Sequence, residues 1–212
     1  MKLYFAFLFA FVILFLNAQV SIAPGNTYIQ DFNSIGTSQT ATLPSGWRAD
    51  KNDAAVRTVG TYSSAGTQTT KSGGDNMSNT APNGIYNFAA GDANTSTERA
   101  VGGLSASGGS KSVNVYVYLK NSGTSDITGF NISYNVEKYR NGTNSAGFTI
   151  QLYYSTDGST WTSAGSSFTT SFPADANNNG YPSAPGVTQN VAGSLTVTVP
   201  PNGDFYLAWN HS

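Results

Sequence analysis

From Ser112 to the end of the chain, apolar and polar residues alternate with a period of two, the pattern of an extended strand buried on one face. Over Ser112–Lys120, Val113, Val115, Val117 and Leu119 point one way, and Asn114, Tyr116 and Tyr118 the other. Phe130, Ile132, Tyr134 and Val136 are set against Asn131, Ser133, Asn135, Glu137 and Tyr139. The sets Phe148-Ile150-Leu152-Tyr154, Leu195-Val197-Val199 and Phe205-Leu207-Trp209 repeat it. Weaker strands are expected at Tyr28–Phe32, Gly46–Asp50, Ala54–Val59, Gly84–Phe88 and Arg99–Leu104.

Between these runs lie turn-rich stretches at Ser63–Asn83, Gly91–Thr97, Asn121–Asp126, Asn141–Ser145 and Asp175–Gly186. Ser63–Asn83 and Asp175–Gly186 exceed hairpin length, and such loops either carry function or are tolerated insertions. No stretch after residue 18 has apolar residues at helical spacing, and no internal repeat is apparent. Only 10% of residues are charged, against about 25% in ordinary domains. Serine, threonine, asparagine and glycine must clothe the surface, which suits strands and turns. The expected fold is all-β: a two-sheet antiparallel β-sandwich, jelly-roll-like, preceded by an N-terminal signal helix.

That leader is residues 1–18. Lys2 supplies one positive charge, and Leu3 to Leu16 is entirely apolar or aromatic. This matches a signal h-region and falls short of the roughly 20 residues of a membrane-spanning helix. Cleavage is expected between Ala18 and Gln19, leaving residues 19–212 as a single secreted or cell-surface domain with no later membrane segment. Without Lys2 it carries 9 basic and 11 acidic side chains, a balance that gives no electrostatic case for nucleic acid or anionic lipid. There is no cysteine, so the core must stabilise the domain without disulfides. The missing cysteines point to a bacterial exported protein, in which the Asn-x-Ser/Thr triplets have no meaning.

Catalytic constellations are hard to assemble. His211 is the only histidine, which leaves Ser-His-Asp chemistry without a base and a histidine-metal site without its ligand set. Glu98 and Glu137, the only glutamates, are the one pair able to flank a glycosidic bond. Arg99 and Arg140 follow them closely, and a neighbouring guanidinium favours the ionised carboxylate over a general acid. The competing reading is a structural charge cluster of Glu98, Arg99, Glu137 and Arg140, with Arg99 forked onto Glu137. No cofactor is expected. Asp175–Gly180 carries oxygen side chains in the manner of a calcium loop but lacks the downstream glutamate, leaving room only for a weak structural calcium ion.

Asp157-Gly158 lies between two strand patterns and predicts a type I′ hairpin returning through Trp161. The string Tyr153–Trp161 looks like the Asp-box of sialidases and other propellers, but it is one residue short and occurs once. Tyr116, Tyr118, Tyr139 and Tyr153 lie on the polar faces of their strands. If exposed, they form a candidate ligand-binding face on which sugars stack; if covered, they are core-edge residues with hydroxyls at the rim.

Most of residues 19–212 resembles an accessory module of secreted Bacteroidetes-type proteins, found before enzymatic, lamin-tail or C-terminal sorting domains. The matching residues are Phe32 with Leu43-Pro44-Ser45-Gly46-Trp47, then Gly84–Phe88, and Glu98–Gly102 with Leu104. Ile132–Tyr134, Glu137–Arg140, the Asp157 hairpin and Phe205–Trp209 follow. Glu98 stands where the module usually has Asp, and Tyr139 where it has Trp. The resemblance implies a jelly-roll-like module with no chemistry of its own. It also implies a further strand beyond Trp209, so that the chain is truncated at its C-terminus. Three functions follow as expectations: a non-catalytic extracellular module binding a glycan or cell-surface partner, the accessory domain of a secreted hydrolase (nuclease, protease or glycosidase) whose active site lies elsewhere, and a glycosidase using Glu98 and Glu137.

Overall fold

The structure, a computed structural model, describes residues 19–145 and 147–212; the expected signal segment, residues 1–18, lies outside them. The described residues are all-β. Twelve strands run β1 (Val20–Ile22), β2 (Trp47–Asn52), β3 (Lys71–Gly73), β4 (Gly84–Ala89), β5 (Arg99–Leu104) and β6 (Ser112–Asn121), then β7 (Ile127–Lys138), β8 (Phe148–Ser155), β9 (Thr162–Ser163), β10 (Thr169–Phe172), β11 (Val187–Val199) and β12 (Asp204–His211). The helical content among them is three single 3₁₀ turns.

The alternating runs make the centre of a large sheet. β6 and β12 pair antiparallel from Val113↔His211 to Lys120↔Asp204, and β8 pairs with the other edge of β12. The free side of β6 takes β2 antiparallel along Ser112–Val117 and β1 parallel along Leu119–Asn121. β9 and β10 extend β8. The period-two register sends Val113, Val115, Val117 and Leu119 to the same face as Leu207 and Trp209. Opposite that face lie a long antiparallel β7–β11 pair and a small β3–β4–β5 sheet. Ile85, Ile127, Val136, Val191, Leu195 and Val199 from these two sheets join the large sheet in one apolar cluster. Phe130 stacks on Phe205 at 4.5 Å between ring centroids, and Tyr134 meets Trp209 edge-on at 5.6 Å.

The other face of the large sheet is also covered. Residues 53–66 close over it, and Trp161 pins them by donating Nε1–H to the Gly60 carbonyl at 2.7 Å. Tyr62 packs edge-on against Tyr116 and Tyr118. Beneath this strap the Tyr116 hydroxyl donates to Asp50 Oδ2 at 2.8 Å and accepts from the Gly60 amide at 2.8 Å. Asn114 donates to Asp50 Oδ1 at 2.7 Å and itself accepts from Asn210 at 2.7 Å. Burial of Asp50 raises its carboxyl above the usual range in spite of these bonds, as desolvation disfavours the charged form.

Three sequence expectations need correction. Tyr28–Phe32 and Ala54–Val59 are not strands: the first carries aromatics to the core edge, the second belongs to the strap. β11 begins at Val187, well before the alternation noticed at Leu195, because its first half is exposed and carries little apolar signal. The Asp157 hairpin exists, but only Gly158 of the pair has positive φ, at 71°. Asp157 instead accepts from the Ser159 and Thr160 amides, which holds its carboxyl far below the usual range. That is an Asx-type turn and not the type I′ turn, which needs two positive φ values.

Gly103 of β5 lies directly over Val113, and a Cβ added there falls well inside contact distance of the valine side chain. This close approach holds the small sheet to the large one. Gly103→Ala is expected to cost roughly 1–3 kcal/mol by overpacking. In a double-mutant cycle with Val113→Ala, a coupling energy near zero would refute the contact.

Candidate functional site

The layer opposite the large sheet is not continuous. Among the described residues, β5 has β4 on one side and no strand on the other, and β7 has β11 on one side and none on the other. Between these two strand edges runs a groove of about 890 Å³. Consecutive residues line it on both walls, 98–105 on one and 129–142 on the other. Strand faces would contribute alternate residues, so backbone edges form its sides.

The rim of the apolar cluster is only partly buried at this opening. Phe32, Val101, Phe130, Ile132, Tyr134, Phe148, Ile150 and Trp209 pack against the core but remain only partly buried. Trp47 and Trp209 stack at 5.6 Å, Phe32 meets Trp47 edge-on at 4.7 Å, and Tyr28 accepts the Trp47 indole N–H at 2.9 Å. Phe32 holds φ 61°, in the left-handed region, an uncommon conformation for an aromatic residue. The sequence signalled these side chains as inward-facing but not as uncovered.

The groove walls also bring together part of the expected charge cluster. Glu98, Arg99, Glu137 and Tyr139 line the same opening, and the field of both glutamates, with burial as the larger cause, raises the Tyr139 hydroxyl far above its ordinary value. Tyr139 donates to Glu137 Oε2 at 2.6 Å and stacks on Phe88 at 4.4 Å. The expected fork of Arg99 onto Glu137 is not formed. The salt bridges among the described residues are Lys51–Asp53 and Lys120–Asp204. Arg99, 3% exposed, gives one Nη2 bond to the Ala93 carbonyl, while its Nε and Nη1 are buried without partners. Burial lowers its pKa. Arg140 turns to the Ser78 and Asn79 carbonyls, so it leaves the cluster.

The proposed tyrosine face requires correction. Tyr116 is 0%, Tyr118 8% and Tyr139 4% exposed. Tyr116 and Tyr118 lie under the strap, with Tyr153 half-buried beside them; Tyr139 belongs to a separate cluster with Met77, Tyr86 and Phe88. Covered rings offer no flat face for a sugar, and the four do not converge. In Asp175–Gly180 the oxygens of Asp175 and Asn177 accept local backbone N–H bonds, at Asn177 and Asn179 respectively. Among the described residues no three His, Cys, Asp or Glu side chains gather at a metal-binding spacing.

His211 lies under the Lys138 end of β7, as a chain of contacts shows: Lys138 over Phe172 at 5.7 Å, Phe172 to Phe148 at 5.0 Å, and Phe148 to His211 at 5.1 Å. The residue as a whole is only half-buried, yet its ring is enclosed and Nδ1 has no partner. Burial, with Arg57 adding a smaller push, lowers its pKa to about 4.

No family model, curated protein or solved structure matches the chain. The geometry of the groove therefore carries the functional argument.

Two outcomes are expected. Replacing Arg99 with Met should change stability by less than ~1 kcal/mol or raise it, whereas breaking a buried ion pair costs about 3–5 kcal/mol; chemical denaturation distinguishes them. For His211, the folded pKa lies below the unfolded value of 6.5, so its contribution is intact above pH 6.5 and lost as pH falls toward 4. At ~1.4 kcal/mol per unit this amounts to about 3 kcal/mol. The stability difference between the parent chain and His211→Asn, measured from pH 7 to 4, should shrink by that amount on acidification.

Proposed function

We propose that this chain is an exported, non-catalytic recognition module, a two-layer jelly-roll-like β-sandwich whose ligand seats in the groove between β5 and β7. The observation that carries this reading is the aromatic and aliphatic lining, left only partly buried, between two unpaired strand edges. Folded domains seldom leave so much of one core uncovered, and contiguous apolar openings of this kind are binding sites by default. The site is concave and mostly apolar, with a few polar groups converging at the Arg99–Glu137–Tyr139 end. Those polar groups suit recognition more than hydrolysis. The Glu137 carboxylate is occupied by the Tyr139 hydroxyl, and an arginine shares its surroundings. A cell-surface or extracellular ligand is consistent with the export leader read from residues 1–18.

The labelled domain is expected to bind at least one member of a panel combining a glycan array with immobilised extended peptides. Ile132→Arg, which places a charge on the groove wall, should weaken that binding at least tenfold. Thr198→Lys, exposed on β11 and away from the groove, should not. Silence across the panel, or equal binding by the Ile132 variant, would refute the proposal.

A further inference from the structure

We infer that the groove is an acceptor for one added β-strand: an extended peptide segment from outside residues 19–212, with apolar side chains at every second position and a carboxylate that meets Arg99. This deepens the recognition reading above and rests on it.

Three observations converge on that occupant. The first is the pair of free edges. β5 and β7 each present an unpaired row of backbone donors and acceptors to the same groove, and among common ligands only another extended backbone satisfies such rows on both sides. Part of the β5 row is already engaged, since the Arg99 amide donates to Asn33 Oδ1 at 2.8 Å; the edge from Val101 to Gly103 is where a new strand would pair. The second is the floor. A strand laid between two others points alternate side chains at the layer beneath. The layer beneath is Val115, Val117, Leu207 and Trp209, with Ile132 and Tyr134 at the side. Val115, Val117 and Leu207 are already buried, so apolar residues at every second position of the incoming strand would cover the partly buried Trp209, Ile132 and Tyr134, and polar ones between them would face solvent.

The third is charge. Arg99 is a buried cation whose Nε and Nη1 find no acceptor, although buried guanidinium groups are ordinarily paired. The neighbouring Glu137 is held by Tyr139, and no salt bridge to Arg99 forms. A carboxylate arriving on the strand would accept a charge-assisted bond from one of these free N–H positions and neutralise the buried guanidinium. A glycan meets none of these demands as well: it lacks the repeated amide pattern, and its neutral hydroxyls leave the buried cation uncompensated.

The test uses purified residues 19–212 and synthetic eight-residue peptides that alternate valine or leucine with threonine and carry one aspartate, scanned along the peptide. Calorimetry should show saturable binding for at least one aspartate position. Amide exchange should slow at Val101, Gly103, Ile132 and Tyr134. N-methylation of alternate peptide amides should abolish binding. Changing the aspartate to asparagine should weaken it roughly tenfold or more, a penalty that disappears in Arg99→Gln. Binding that tolerates N-methylation, or protection confined to residues outside β5 and β7, overturns the strand reading. So does self-association of the domain through this groove, which would make a second copy the occupant. If glycans bind in an Ile132-sensitive way while every peptide fails, the strand inference falls and the recognition proposal stands; if both fail, both fall.

Discussion

The apolar face of β6 and β12 needs a roof along its whole length, and the strands opposite it supply only part of one. Everything else in the molecule arranges itself around that mismatch. The small sheet is drawn down onto Val113 through the missing side chain of Gly103, and the β7–β11 pair is anchored by Phe130 on Phe205 and Tyr134 on Trp209. Between those two attachments the cover stops. Burying apolar surface contributes about 25 cal/mol per Å², so the part of Trp209, Ile132 and Tyr134 still exposed there is a stability term left unrealised until something covers it.

The opposite face of the same sheet is finished by different means. There the covering is a loop, and its backbone groups must be satisfied at each point where it touches buried polar side chains. Asp50, Asn114, Tyr116 and Asn210 do this as a connected set, with Tyr116 both donating to Asp50 and accepting from Gly60. Such a network specifies one placement of the strap, because a slip of one residue would leave several buried groups unpaired at once. One sheet thus carries a dry, incomplete side and a polar, complete side.

The strands of this sheet were legible in the residue pattern because they are buried asymmetrically and lie at its centre, where alternation is least diluted. β11 was half hidden because its first residues face solvent on both sides of the pleat. β1, β3 and β10 were invisible because three or four residues cannot display a period, whereas β9 was signalled only by the turn before it. Which of the two readings of the tyrosines holds was undecided for a related reason: alternation tells which side chains share a face, not whether a distant loop returns to cover it, and Tyr116 and Tyr118 are buried by residues some 50 positions away. The groove escaped notice altogether. Ile132 and Trp209 were read correctly as inward, but an uncovered inward residue has the same local signature as a covered one. Glu98, Arg99 and Glu137 were rightly grouped, whereas the pairing within the group depends on side-chain geometry that spacing does not encode.

An open seam between two strand edges is also a danger to its owner, since any passing extended chain can pair with it. The charges standing beside this seam bear on that danger. In a chain with so few ionisable side chains, Glu98, Glu137 and Lys138 all lie along its border. Residues that at first suggested hydrolysis serve there as gatekeepers: they make indiscriminate stacking of one molecule on another electrostatically awkward, and they leave admission to a visitor whose own charge matches the buried Arg99.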